Sequence, residues 1–140
     1  MYERFLVPVD GSEHSKHALK SAEWLAQNMG INAHITLLHV IPSNNYNTVA
    51  FGVDIKQLLE EEAKMIFEES EQVLSGSSIQ YDCEYHIGDP AEMICKKAKE
   101  GDYDLIVMGS RGLSLFSELL VGSVSHKVVQ HAHCGVMIVK

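Results

Sequence analysis

A segment rich in glycine and serine in the second half of the chain has the residue types that bind phosphate. It directly follows the apolar run 105–108 and consists of Gly109-Ser110-Arg111-Gly112, nine further residues and Gly122-Ser123-Val124-Ser125. Glycine permits positive φ and a close backbone approach to an anion. Unpaired N–H groups at the start of a helix then donate to the anion. The pattern predicts a phosphate-binding loop between a buried strand and a helix.

A carboxylate follows another apolar run near the beginning of the chain. Asp10 comes directly after residues 5–9 and before Gly11 and Ser12. Asp10 could cap the first helix or brace the turn, but Ser12 is better placed as the cap. With Ser12 as the cap, the Asp10 carboxylate remains available for another role.

The order and spacing of these segments resemble the universal stress protein family, in its ATP-binding branch. The resemblance covers nearly the whole chain and rests on the glycine spacing of the phosphate-binding loop, the segments 6–12 and 38–40, Gly-Asp-Pro-Ala-Glu at 88–92 and the terminal segment 131–139. It implies bound ATP with Mg²⁺ or Mn²⁺, and a homodimer.

The resemblance also assigns roles to individual residues. It implies that the phosphates and ribose contact Gly109, Arg111, Gly112, Gly122, Ser123, Val124 and Ser125. It places Asp10 close to the ribose and to a divalent ion held against the phosphates. It places Pro8, Val40 and Met108 around the adenine, with backbone groups of Val40 offered to the base.

Apolar runs alternate with helical patterns along the chain, which predicts βα units and a mostly parallel sheet. We expect five strands and four helices in one domain, residues 1–140, of doubly wound flavodoxin-like or Rossmann-like α/β fold. Residues 79–87 alternate strictly between apolar and polar, which predicts an edge strand with one wet face. The family resemblance implies the strand order 3-2-1-4-5, with the ligand site where the order reverses.

Pro8 falls in a strand that this order makes central, where a proline removes a hydrogen bond of the ladder. Because Pro8 lies near the end of that strand, we predict that it ends the pairing just before Asp10 and opens the sheet at the site. Asp89-Pro90-Ala91-Glu92 in turn predicts a helix start, with Asp89 as the cap and Pro90 in the first position.

Composition restricts the partners and the location. The chain has 140 residues and a net charge of −8. With no basic run to offset that charge, it disfavours nucleic acid as a partner. No apolar run approaches the length of a membrane-spanning helix, and the beginning of the chain has no pattern of an export signal. Three widely spaced cysteines predict reduced thiols, with neither a disulfide framework nor a zinc site, and we expect a cytoplasmic protein.

The leading functional hypothesis is a nucleotide-dependent switch in stress physiology. The sequence lacks the P-loop, dinucleotide, serine-hydrolase and zinc-protease motifs, and it shows no obvious general base. We therefore expect ATP turnover to be slow or absent. The nucleotide would order the polar loop 43–52 and the segment 113–121, and so change a surface that an unidentified protein partner contacts.

Three alternatives remain open at this point. The chain could be an ATPase, or a kinase that phosphorylates itself on Ser110, Ser123 or Ser125. It could be an interaction protein without nucleotide, whose glycines only form turns. It could bind AMP, cyclic AMP or another adenine compound, because the sequence does not fix the number of phosphates. In each case the apolar terminal strand 136–139 is a candidate edge for pairing with a second copy.

Overall fold

Strands and helices alternate strictly in the computed structural model, which describes residues 2–29, 32–43, 54–111 and 122–140. The elements in chain order are β1 (Arg4–Pro8), α1 (Glu13–Asn28), β2 (His34–Pro42), α2 (Ile55–Val73), β3 (Gln80–Gly88), α3 (Pro90–Glu100), β4 (Leu105–Gly109), α4 (Ser123–His131) and β5 (Gly135–Val139). The five strands and four helices confirm the predicted number of elements. Gly112, most of the loop 43–52 and all of the segment 113–121 lie outside the described residues.

The strands form one parallel sheet in the order β3-β2-β1-β4-β5. This confirms the predicted doubly wound order and places the topological switch point between β1 and β4. β3 pairs with β2 through all nine of its residues and lies at the edge of the sheet. Its strict alternation of polar and apolar residues therefore did indicate an edge position. The expected single wet face is wrong, because Tyr81, Tyr85 and Ile87 of the apolar set are exposed as well.

Hydrophobic residues on the two faces of the sheet form two separate cores. Phe5 and Val7 of β1 point to the face covered by α1 and α2, whereas Leu6 points to the face covered by α3 and α4. All three side chains are fully buried. Each β1 residue thus contributes to the core on the side that its position in the pleat dictates.

The two central strands separate before they end. β1 pairs with β2 through Pro8, but its pairing with β4 is limited to Phe5 and Leu6. Val9 N donates to Leu38 O of β2 at 2.9 Å. Since N–H groups alternate sides along a strand, the nitrogen of Pro8 faces β4, where proline has no hydrogen to donate. The prediction that Pro8 opens the sheet is therefore confirmed on the β4 side, and wrong on the β2 side.

Three of the four described helices begin with a side-chain cap. Ser12 caps α1 by accepting from Ser15 N at 3.2 Å, and Asp54 caps α2. Asp89 caps α3 by accepting from Glu92 N at 3.1 Å, with Pro90 in the first position, as predicted. α4 differs, because its N-cap is Gly122, which provides no side-chain hydrogen bond.

None of the helices in the described parts of the chain combines the length and the apolar character needed to cross a lipid bilayer.

Candidate functional site

A cavity of about 530 Å³ lies at the carboxyl ends of β1, β2 and β4, where the central strands separate. Ten of the eleven predicted site residues line it: Pro8, Asp10, Val40, Met108, Gly109, Arg111, Gly122, Ser123, Val124 and Ser125. The eleventh, Gly112, falls outside the described residues. Residues that are far apart in the sequence therefore meet in one cavity at the switch point.

The N-terminus of α4 forms one end of the cavity. His126 N donates to Gly122 O at 2.9 Å and makes the first hydrogen bond within the helix. The N–H groups of Ser123, Val124 and Ser125 precede that bond and have no carbonyl partner within the helix. These three donors, together with the helix dipole, make this end of the cavity suited to an anion.

The glycines beside α4 lie where an added side chain would meet neighbouring backbone atoms. In the described part of the chain, only Gly11 and Gly76 are glycines with positive φ, so the expected positive φ is wrong for Gly109 and Gly122. A Cβ atom on Gly109 would lie 2.7 Å from both the carbonyl carbon and the Cβ of His14 in α1. A Cβ atom on Gly122 would lie 3.1 Å from Ser110 O. Close packing of backbone segments explains both glycines.

Asp10 braces the turn that leads into α1 and also lines the cavity. Its Oδ1 atom accepts from Ser12 N at 2.9 Å, across Gly11 with φ of 82°. Oδ2 makes no hydrogen bond to the residues that the structure describes. The sequence presented bracing of the turn and a place in the ligand site as alternatives for Asp10. The structure shows that the side chain braces the turn and lines the cavity at the same time.

The three candidate phosphate-accepting serines have different surroundings. The hydroxyl of Ser125 is buried and donates to Ser110 O at 2.8 Å. The hydroxyl of Ser110 lies 2.8 Å from His14 Nδ1, and Ser110 is not among the described residues that line the cavity. Ser123 is exposed and lines the cavity. Of the three, Ser123 therefore presents the accessible hydroxyl.

The middle of the cavity is apolar on the side of α3 and α4. Pro8, Val40 and Met108 line it, together with Leu38 of β2 and Ile94 of α3. Except for Pro8, these side chains belong to or contact the α3/α4 core, so the slot is an extension of that core. Apolar walls with a few backbone donors and acceptors suit a flat heterocyclic ring.

Charged side chains in the cavity have both signs. Among its described lining residues, Arg111 carries the only arginine or lysine charge, and Asp10 and Glu62 carry the carboxylates. The described residues contain no group of three histidines, cysteines or carboxylates arranged to hold a metal ion.

The three cysteines are free and lie outside the cavity lining. Burial raises the pKa of the thiols of Cys95 and Cys134. For Cys83, burial and the neighbouring Glu71 carboxylate raise the pKa to about 11. Because the thiolate is the nucleophile, these raised pKa values favour structural thiols over a catalytic cysteine.

Sequence reasoning missed the contribution of β2 and α2 to the polar side of the cavity. His39 of β2 and Leu59 and Glu62 of α2 line it beside the predicted residues. The signal for His39 was its polar ring within the otherwise apolar stretch 37–42 of β2, next to Val40. α2 gave no comparable signal, because its acidic residues resemble an ordinary solvated helix face.

The fold and the cavity define a doubly wound α/β protein whose candidate ligand site lies at the topological switch point. The sequence model of the universal stress protein family matches residues 1–140. The chain belongs to the universal stress protein family. It is 34% identical to universal stress protein YxiE of Bacillus subtilis over 150 residues, covering 100% of both chains.

Solved structures share the whole fold. The universal stress protein UspA from Lactobacillus plantarum matches with a TM-score of 0.84 and 32% identity, covering 99% of this chain and 98% of that protein. A universal stress protein family member from Arabidopsis thaliana, solved with AMP bound, matches with a TM-score of 0.68 and 25% identity, covering 99% and 91%. The family assignment and the fold therefore agree along the full chain.

Proposed function

We propose that this chain is one domain that binds an adenine nucleotide, foremost ATP with Mg²⁺ or Mn²⁺, as a switch in the stress response. One observation carries the proposal. The uncapped N-terminus of α4 and the apolar slot beside Val40 and Met108 belong to the same cavity. An anion-binding end next to a ring-sized apolar slot suits a nucleotide better than phosphate alone. The Arabidopsis relative solved with AMP supports the adenine.

Cavity charge supports a metal ion bound together with the nucleotide. Asp10 and Glu62 would repel a triphosphate, and Arg111 is the only lysine or arginine among the described lining residues. A divalent ion between Asp10 and the phosphates would relieve that repulsion. With a single arginine and no identified general base, the proposal includes slow hydrolysis or none.

The switch part of the proposal rests on where two chain segments begin and end. The segment 112–121 lies between Arg111 and Gly122, and both of these residues line the cavity. The segment 44–53 begins just after Pro42, which also lines it. A nucleotide in the cavity would therefore lie next to residues that flank both segments, and we propose that it changes the surface presented to a protein partner.

The test is calorimetric titration of nucleotide-free protein with ATP, ADP, AMP and cyclic AMP, each with and without Mg²⁺. We expect ATP to bind most tightly and Mg²⁺ to increase its affinity, because the phosphates add contacts at α4 and the ion screens Asp10. Equal affinities for ATP and AMP would contradict the role of α4. Absence of binding by every nucleotide, with no thermal stabilisation, would leave the interaction-protein alternative.

We also propose that the protein is cytoplasmic, because its three cysteines are free thiols.

We further propose that two copies of the chain pair through β5. β5 is an apolar edge strand, and its Met137 is 38% exposed. Met137→Lys should convert the dimer to a monomer in sedimentation velocity, because it places a charge at that edge. Met65→Lys, at an exposed methionine of α2, is the matched control. A wild-type monomer would refute the pairing.

A further inference from the structure

His39 is a nearly buried side chain at the cavity that the residue roles assigned above leave unused. It is 8% exposed, and its ring meets Phe67 of α2 edge-on with ring centroids 6.4 Å apart. His39 Nδ1 lies 2.8 Å from Val9 O. Since a carbonyl oxygen only accepts hydrogen bonds, Nδ1 carries a proton, and the tautomer with its proton on Nδ1 has an acceptor at Nε2.

Nε2 of His39 has no hydrogen bond to the described residues. Every fully buried polar side-chain atom in the described part of the chain has a partner, so Nε2 retains some accessible surface. The cavity is the space that His39 lines. The ring therefore presents an unused acceptor to the cavity, held in one orientation by Val9 O and Phe67.

Donors and acceptors are segregated within the cavity. The α4 end offers the backbone N–H groups of residues 123–125 and the guanidinium of Arg111, which are all donors. At α2 the cavity offers the Glu62 carboxylate and Nε2 of His39, and the Asp10 carboxylate lines the cavity as well; all three groups are acceptors. A ligand with acceptors at one end and donors at the other matches this division when its phosphates face α4.

We propose that Nε2 of His39 accepts a hydrogen bond from an O–H or N–H donor on the nucleoside part of the ligand, either a ribose hydroxyl or the exocyclic amine of the base. This inference rests on the proposed nucleotide binding and adds a residue that fixes the orientation of the nucleoside. The hydrogen bond from Nδ1 to Val9 O holds the His39 imidazole in the tautomer that leaves Nε2 free to accept.

Two substitutions separate the ligand contact from the structural one. His39→Asn retains an amide donor close to the position of Nδ1 but has no atom at Nε2, whereas His39→Gln reaches towards Nε2. In calorimetric titration with ATP we expect His39→Asn to lose affinity about 3- to 10-fold and His39→Gln to recover part of it. Phe67→Leu, which changes the ring packing but keeps Nε2, is the matched control and should bind ATP as wild type does.

Ligand analogues identify the donor. Wild type and His39→Asn are each titrated with three analogues of ATP. In these, 2′-deoxyATP lacks the 2′-hydroxyl, 3′-deoxyATP lacks the 3′-hydroxyl, and inosine triphosphate lacks the exocyclic amine. The analogue that lacks the donor should bind wild type more weakly than ATP does. His39→Asn should bind that analogue and ATP with equal affinity. In ¹⁵N spectra of the wild-type imidazole, the Nε2 resonance should move when ATP is added.

Two outcomes overturn the inference separately from the proposed function. If wild type binds ATP and His39→Asn binds it equally well, the contact at Nε2 does not exist. The contact is also absent if, for all three analogues, the loss of affinity caused by the analogue is as large in His39→Asn as in wild type. If wild type binds no adenine nucleotide, both the proposed function and the role of His39 are refuted.

Discussion

Ser123→Pro should weaken ATP binding by about 10- to 100-fold while the folded protein keeps its stability. Ser123 is the first residue of α4, where the missing N–H of proline costs no bond within the helix. Gly122, with φ of −61° and ψ of 159°, already has the extended backbone that precedes a proline. The substitution removes one donor from the anion-binding end, and a hydrogen bond to a charged group contributes about 1.5–3 kcal/mol.

Ser123→Ala is the matched control, because it removes the hydroxyl and keeps the N–H. Calorimetric titration with ATP and Mg²⁺ measures both affinities, and thermal unfolding without ligand verifies the fold. If the two variants bind ATP equally well, the backbone at α4 does not hold the phosphates. A strong loss in Ser123→Ala alone would instead assign the contact to the hydroxyl.

Gly109→Ala should lower the free energy of unfolding by about 1–3 kcal/mol, the usual cost of inserting a group into a well-packed region. The added Cβ would lie 2.7 Å from the backbone carbonyl carbon of His14 and 2.9 Å from its oxygen. Backbone atoms cannot rotate away as a flexible side chain can, so α1 would have to shift from β4. Urea denaturation of wild type and variant measures the difference.

Gly122→Ala provides the comparison. Its nearest atom, Ser110 O, would lie 3.1 Å from the new Cβ, so a displacement of a few tenths of an ångström suffices and we expect a smaller loss. If Gly109→Ala were as stable as wild type, the close packing of β4 on α1 would not explain the glycine. In that case the phosphate contact implied by the family resemblance would be its remaining explanation.

The number and type of the elements were predictable from the sequence because each element carried a local signal, whereas the strand order came from the family resemblance. Largely apolar runs marked four strands, including β5 at the edge of the sheet, and the alternation at 79–87 marked β3 as the other edge strand. Caps such as Ser12 and Asp89 marked two helix starts. The glycine and serine segment of the site was identifiable from its residue types, whereas the roles of the other site residues came from the family resemblance. The two sets meet because loops at the carboxyl ends of parallel strands lie at one edge of a sheet.

Other properties depended on contacts between distant residues and could not be predicted. The packing of Gly109 on His14 requires the position of α1 relative to β4, which no local pattern gives. The tautomer of His39 depends on Val9 O in the neighbouring strand. Pro8 ends the pairing of β1 on the β4 side only. That side could be identified only once Val9 N was seen to donate to Leu38 O of β2, on the opposite side of the strand.

The glycine cap of α4 makes the stability of that helix depend on the contents of the cavity. α1, α2 and α3 carry caps built into their own sequence, in Ser12, Asp54 and Asp89. α4 has no side-chain cap at Gly122, so a bound anion could take that place. A ligand phosphate would then act as a removable helix cap, and α4 would become firmer or looser as the ligand arrives or leaves. Because α4 contacts β5, that change would extend to the outer strand of the sheet.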